Sequence, residues 1–484
     1  MATATATLRK MFIDGKWCAA DGGRTLEVIN PANEEVLAEI AYGGRAETRR
    51  ALEAAHKAMQ SWMKLTSWDR GKIIKKIADI MRDKADAIAR TLTLEQGKPL
   101  AEAKAEILHS ADTFEWFAEE GKRAYGQVIP HGAPGKRHMT LKHPVGVVGA
   151  ISPWNFPITL QARKIAPALA AGCTIVSKPA SQTPLCLIQL FEFMAEAGVP
   201  VGVVNLVMGP AQEIADEFLE NPICRKISFT GSTEVGKQLM KGCADQMKRV
   251  SLELGGHAPF IVFPDADPEV VAKAAVIGKF RNNGQVCIAP SRFYVHKDVH
   301  KKFTEVAVET AKNLKLGNGL EPGIEIGPMF EKKAMESTSV LIEDAKKTGA
   351  KVLTGGKRSD RFEKGYFFEP TVLSNLSAEA KIMTEEPFAP VMPLLDFSKL
   401  EDVIQQANKT RYGLAAYVFT NDLTVTWKMA EGLEAGIIGI NEPVPAVPQC
   451  PFGGMKESGL GRELGHDGLE AYLETKYIAL RLRE

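Results

Sequence analysis

The chain has 484 residues, 45% of them hydrophobic, which is too long for one simple core and rich enough in apolar side chains to fill two or three. Sixty Lys and Arg against 59 Asp and Glu leave a formal net charge of +1, which excludes a general electrostatic attraction to nucleic acid or to an anionic membrane. The seven cysteines (18, 173, 186, 224, 243, 287 and 450) are odd in number, widely spread and without CxxC or Cys/His metal spacing, so no metal site or disulfide framework is expected and a reduced, cytoplasmic setting fits.

The opening MATATATLRKMF lacks the apolar core of a signal peptide. After a short strand pattern in MFIDGKWCAA and TLEVINP, residues 46–119 read as helical, with Ile73, Ile77, Ile80, Ile88 and Leu92 spaced near one face. The stretch 120–140 reads as strand. The most apolar run, 144–162, is interrupted by Pro153 and Pro157, so it is not a membrane span. From 140 onward short apolar runs alternate with helical stretches: GVVGAISPW, 160–171, TIVSKP, 183–198, VVNLVMG, 211–219, KISFTG and 232–248. Such alternation predicts βαβ units around a parallel sheet, with ligands at the carboxyl ends of the strands. A second α/β series runs from about 253 to 450, and the alternating tail KYIALRLRE reads as a strand able to extend a sheet edge.

Chemistry-bearing residues stand at the punctuation of this pattern. KISFTGSTEVG runs a strand into Gly231, Ser232 and a helix; the turn is either a plain Ser-capped junction or a cradle of free N–H groups for a pyrophosphate. Lys178 ends the strand TIVSK two units earlier, as a solvated charge or as a donor to ribose hydroxyls. In SPWNFP, Asn155 lies in a turn fixed by two prolines, where its amide either caps its own backbone or donates to a developing oxyanion. In SLELGG, Glu253 is a carboxylate among apolar residues: a buried ion-pair partner, or a general base whose pKa is raised by poor solvation. In KFRNNGQVCIAP, Cys287 follows a Gly/Asn turn, with Gly284 permitting close backbone approach, and no histidine stands near it in sequence. A lone cysteine of this kind is an inert buried thiol or a nucleophile. Taken together, a thiol, an amide donor, a carboxylate and a dinucleotide turn describe aldehyde oxidation through a thioester, a reaction that needs no histidine.

These segments resemble the aldehyde dehydrogenase superfamily along effectively the entire chain. The matching motifs are PWNFP at 153–157, SKPASQTP at 177–184, FTGSTEVG at 229–236, LELGG at 252–256, GQVC at 284–287, EEPFAP at 385–390 and PFGGMKESGLGRE at 451–463. The resemblance implies an α/β protein with a Rossmann-like parallel-sheet cofactor domain (1–119 and 141–252), an α/β catalytic domain (253–450) and a small β oligomerisation domain (120–140 and 451–484) that builds a homodimer or homotetramer. It implies Cys287 as nucleophile, Glu253 as base and Asn155 as oxyanion donor. It also implies Trp154, Lys178, Gly231, Ser232, Glu386 and Phe388 around NAD or NADP, with Ala389 where the family carries glycine, and Glu463 in a proton relay. Within the superfamily the chain looks most like succinate-semialdehyde dehydrogenases, whose anion-binding arginines match Arg163 and Arg281. A serine of that site aligns near Val447, and the second active-site cysteine of some members is Ala289. Those features imply a short aldehyde with a distal anion: succinate semialdehyde, 2-oxoglutarate semialdehyde or a sulfonated aldehyde. NAD-preferring members commonly carry glutamate three residues after the lysine; Ser181 stands there, so NADP is expected to be accepted. A CoA-acylating enzyme and a catalytically silent protein on the same fold are the alternatives; retention of Cys287, Glu253 and Asn155 counts against the silent protein, and Glu253 against the CoA-acylating enzyme.

Overall fold

The apolar runs after residue 140 fold into a sheet covered on both faces, in a computed structural model that describes residues 8–483. Most of the opening segment read above for a targeting signal, residues 1–7, lies outside the described residues, as does the last residue of the tail. Five parallel strands lie in the order Arg249–Glu253, Cys224–Thr230, Val147–Ile151, Thr174–Lys178, Val204–Leu206. The hairpin of Met11–Ile13 and Lys16–Cys18 closes one edge antiparallel, and Gly459–Leu460 closes the other. Strand order reverses about Val147–Ile151: the next two strands in the chain add on one side and the following two on the other. The crevice at such a reversal, at the carboxyl ends, is where an open parallel sheet binds ligands. Here it is flanked by Ser152–Phe156 and by Gly231–Ser232.

The helical region before the sheet divides into Arg45–Trp62, Ser67–Asp83, Ala85–Gln96 and Leu100–Glu120. Ile77, Ile88 and Leu92 are fully buried, which is the outcome their spacing predicts for one packed face. Thr66 starts the second helix by accepting from Asp69 N at 3.2 Å, and Gly97, in left-handed backbone, ends the third. No helix among the described residues is long and apolar enough to cross a membrane.

A second sheet has the order Lys351–Thr354, Thr371–Ser374, Val391–Phe397, Pro290–His296, Ala258–Val262, Ala415–Phe419, Ile437–Ile440, parallel except at its first pair. Because Ala258–Val262 follows Glu253 after a short crossing, the carboxyl ends of the first sheet adjoin the amino ends of the second. Cys287 lies just before Pro290–His296, at that junction.

The chain ends are apportioned differently from the expectation. The strand expected within 120–140 runs as Lys136–Pro144, and the tail 451–484 is split. Gly459–Leu460 joins the first sheet, whereas Leu473–Arg481 pairs antiparallel with Lys136–Pro144, which also holds Val128–Ile129. The reason is steric. A Cβ on residue 459 would stand 2.1 Å from the Leu252 carbonyl oxygen, so glycine lets this short segment cover the open edge of Arg249–Glu253.

The loop entering Pro290–His296 is held by an unusual run of left-handed backbone at Asn282 (φ 47°), Asn283 (φ 59°) and Gly284 (φ 70°). Asparagine tolerates this region better than most residues and glycine occupies it freely. A Cβ on residue 284 would lie 2.3 Å from the Ala389 carbonyl oxygen. Gly284→Ala is therefore expected to destabilise the protein by about 1–3 kcal/mol from backbone strain alone, with the clash adding to it. A lower urea midpoint of unfolding at matched protein concentration checks this.

Candidate active site

The turn that carries Asn155 is held from behind. Pro157 begins the helix Pro157–Ala171 at a position that requires no amide donor, and the N-cap residue Phe156 supplies no capping side chain. Glu106, from Leu100–Glu120, takes that part: its Oε1 accepts from Ile158 N at 3.1 Å and Thr159 N at 3.2 Å. Lys98 is fully buried, donating to Glu106 at 2.5 Å and to the Asn155 carbonyl at 2.8 Å, with its ammonium 3.7 Å from the centre of the Phe156 ring. Asn282 Nδ2 donates to that same carbonyl at 3.0 Å, and Asn155 Nδ2 donates to the Gln285 carbonyl at 3.1 Å. The cysteine loop is tied further by Tyr417, whose hydroxyl donates to the Ile288 carbonyl at 2.6 Å. One N–H of the Asn155 amide is thus committed, which orients the other.

Two cavities meet at this point, sharing Asn155, Leu160 and Cys287. One, of about 280 Å³, brings in Arg163, Arg281 and His109 with the apolar Phe452, Val444 and Ala446. The other, of about 240 Å³, is lined by Trp154, Gly231, Ser232, Glu253, Glu386 and Phe388. Lys178 and Ser181 line neither. Lys178 is the last residue of the neighbouring strand, in register with Ile151, and Ser181 follows it, donating to the Gly209 carbonyl at 3.3 Å. Val447 is not on the cavity wall, whose nearest residues from that loop are Val444 and Ala446.

The electrostatics of the junction are unusual. Both carboxylate oxygens of Glu253 are buried with no hydrogen-bond partner, and burial, reinforced by Glu463, pushes its pKa up to about 8. Burial and then the Glu253 carboxylate push the Cys287 thiol well above its ordinary value. Each group thus resists ionising while the other is charged. Glu463 is paired with Lys164 at 2.5 Å, and Lys164 donates to Thr230 at 2.6 Å. In the first cavity the cations are not neutralised by contact: among the described residues neither Arg163 nor Arg281 forms an ion pair, although Arg281 acts on the Glu102 carboxyl and Arg163 on that of Glu253, and buried Arg163 leaves Nε unbonded. They lie instead over aromatic rings, Arg163 4.1 Å from the centre of Phe452 and Arg281 5.1 Å from that of Phe156.

The second cavity suits a dinucleotide. Ser232 caps Thr233–Ala244 by accepting from Val235 N at 3.4 Å, and the start of that helix opens on the cavity. Burial lowers Lys178 to about 8, and its ammonium has no ion pair among the described residues. Burial raises Glu386 to about 8. Trp154 stacks on Phe330 at 4.1 Å and meets Phe388 edge-on at 5.8 Å, making an aromatic wall. No group of three or more His, Cys, Asp or Glu among the described residues is placed to hold a metal ion.

Sequence reasoning missed Lys98, Glu106, Asn282, His109 and Phe330. Lys98 reads as a loop charge in EQGKPL; its one signal is the neighbouring Gly97–Lys98–Pro99 turn. Glu106 and His109 lie on an ordinary helical pattern.

The model of the aldehyde dehydrogenase family matches residues 17–478. A glutarate-semialdehyde dehydrogenase of Pseudomonas putida is 48% identical over 472 residues, 98% of each chain. A succinate-semialdehyde dehydrogenase [NADP(+)] of Escherichia coli is 48% identical over 474 residues, again 98% of each. The crystal structure of a succinate-semialdehyde dehydrogenase from Burkholderia pseudomallei matches with a TM-score of 0.97 at 44% identity over 100% of both chains. With a family match across nearly its whole length and relatives of this similarity, the chain belongs to the aldehyde dehydrogenase family.

Proposed function

We propose that this enzyme oxidises a short aliphatic aldehyde bearing a distal anion to the corresponding acid, with NAD or NADP, and that succinate semialdehyde is its first-choice substrate. The observation that carries the reading is the pair of guanidinium groups, Arg163 and Arg281, lining the cavity of Cys287 without an acidic partner among the described residues. Buried charges are otherwise paired, so unpaired cations in a narrow cavity favour a ligand that supplies the anion. The relatives named for succinate and glutarate semialdehydes act on aldehydes of this kind. The apolar Val444 and Ala446 leave room in the same reading for 2-oxoglutarate semialdehyde or a sulfonated aldehyde.

In the mechanism that follows, Cys287 Sγ attacks the aldehyde carbon, and its proton passes to Glu253, the carboxylate in the adjoining cavity. The free N–H of Asn155 Nδ2 receives the oxyanion. When bound, an oxidised nicotinamide would supply the hydride acceptor for that carbon and a positive charge that favours the anions of Cys287 and Glu253. Cys287 then carries a thioester. Glu253, once Lys164 with Glu463 has drawn off the thiol proton, takes a proton from water, which adds to the thioester carbon; the tetrahedral adduct expels the Cys287 thiolate and releases the acid. Trp154, Glu386 and Phe388 would hold the nicotinamide end, Gly231 and Ser232 the pyrophosphate and Lys178 with Ser181 the adenosine ribose, and Lys164 with Glu463 relays protons from Glu253. The three-stranded sheet with exposed Val128, Leu141, Tyr477 and Leu480 serves subunit association as dimer or tetramer, in the cytoplasm.

Arg163→Ala is expected to raise KM for succinate semialdehyde over KM for butanal by about ten- to a hundredfold, the worth of a charge-assisted hydrogen bond. Equal changes for both aldehydes would defeat the anion site and leave the aldehyde chemistry standing. For Glu253→Gln, thioester hydrolysis slows by about 10²–10⁴-fold, and the burst of NAD(P)H in a stopped-flow trace grows relative to the steady rate. In the wild type the hydrolysis rate rises with pH through about 8, as Glu253 loses its proton, and the variant lacks that limb. Ser181→Glu shifts the NADP/NAD ratio of kcat/KM toward NAD by about tenfold or more, through repulsion of a 2′-phosphate; an unmoved ratio removes Ser181 from cofactor selection.

A further inference from the structure

His109 is the one titratable group on the substrate cavity that the mechanism leaves without a part. It lies on Leu100–Glu120, one turn beyond Ala105 and Glu106, and lines the same cavity as Cys287, Arg163 and Arg281. Its backbone carbonyl accepts from Thr113 Oγ1 at 3.0 Å, but among the described residues its imidazole makes neither a hydrogen bond nor an ion pair. The nearby carboxylates are engaged elsewhere: Asp112 with Arg82 at 2.7 Å, and Glu106 with Lys98 and the start of Pro157–Ala171. The other walls contributed by Val286, Ile288, Val444, Ala446 and Phe452 offer no polar side chain.

We infer that His109 is a specificity-determining residue, donating an N–H to the far-end carboxylate of the substrate alongside Arg163 and Arg281. The inference rests on the anion-site reading above and adds a third group to it. A neutral imidazole carries one donor nitrogen and one acceptor nitrogen. Burial, then Arg163 and Arg281, lower the His109 pKa to about 4, so at neutral pH the ring donates without adding a third positive charge to the empty cavity. A carboxylate presents about four lone-pair sites, more than two guanidinium groups held over aromatic rings are bound to fill. An uncharged donor on the helix wall completes the set and favours an aldehyde whose chain is long enough to bring its carboxylate there.

The test compares kcat/KM for succinate semialdehyde and for butanal, its uncharged four-carbon counterpart, in the wild type and in His109→Phe, His109→Leu and His109→Gln. In the Phe and Leu variants the ratio of the two values falls by about ten- to a hundredfold, with the loss in KM; glutamine, which keeps an N–H donor, restores a substantial part. Leucine covers the case in which the larger ring does not fold. A ratio within twofold of wild type in the Phe or Leu variant, or an equal loss in the glutamine variant, overturns the role of His109. If the wild type itself does not favour the anionic aldehyde, or Arg163→Ala leaves the ratio unmoved, the anion site falls and His109 with it. An intact arginine effect with no histidine effect sinks this inference alone.

Discussion

The buried ion pair between Lys98 and Glu106 is the interaction on which the rest of the site depends. Removing one partner of such a pair leaves an uncompensated charge and costs about 3–5 kcal/mol, although the intact pair contributes little net stability over a well-packed apolar substitute. What the pair does here is geometric. The Lys98 ammonium fixes the Asn155 carbonyl, and Glu106 satisfies the first amides of Pro157–Ala171, the helix that carries Arg163. Asn282 then ties the cysteine loop to the same carbonyl. One ion pair thereby sets the relative positions of an amide, a guanidinium and a thiol drawn from three separate segments.

Around that fixed frame the charges are left deliberately unbalanced. Arg163, Arg281 and Lys178 form no ion pair among the described residues, while Glu253 and Cys287 sit where their anions are disfavoured. A folded protein bears such charges poorly unless something else completes them. The free cations call for the anionic ends of ligands, and the two reluctant acids call for a positive neighbour. The site is electrostatically incomplete in the sense that an enzyme complementary to its bound reactants has to be.

Much of this was legible in the sequence because the chemistry stands at strand ends, next to glycine or proline. Asn155 between Pro153 and Pro157, Glu253 before Gly255 and Cys287 after Gly284 are conspicuous for that reason, and the structure brings all three to one junction. The four helices before the sheet are legible from their apolar spacing. Lys98 and Glu106 are not, since a lysine in a turn and a glutamate on a helix look like solvated surface until helices 52 residues apart in sequence are packed together. His109 is hidden in the same way, and Gly459–Leu460 is too short to carry any period. Its pairing is decided by the absence of a Cβ where Leu252 passes.

The division into two cavities puts the proposed base on the side away from the proposed anion site. Glu253 lines the cavity that suits the cofactor, whereas Arg163, Arg281 and His109 line the other, and only Asn155, Leu160 and Cys287 belong to both. On the proposed reading an acyl group on Cys287 would have its tail among the guanidinium groups and present its reacting carbon to the opposite cavity. In the proposed mechanism water activated by Glu253 would reach that carbon from the cofactor side, without crossing the anion-binding end. Arg163 and Lys164 pull the Glu253 pKa down, but neither forms an ion pair with it, and burial with Glu463 outweighs them. A substrate anion on Arg163 and Arg281 would weaken that pull, so that in the proposed mechanism binding at one end of the tunnel and proton abstraction at the other support each other.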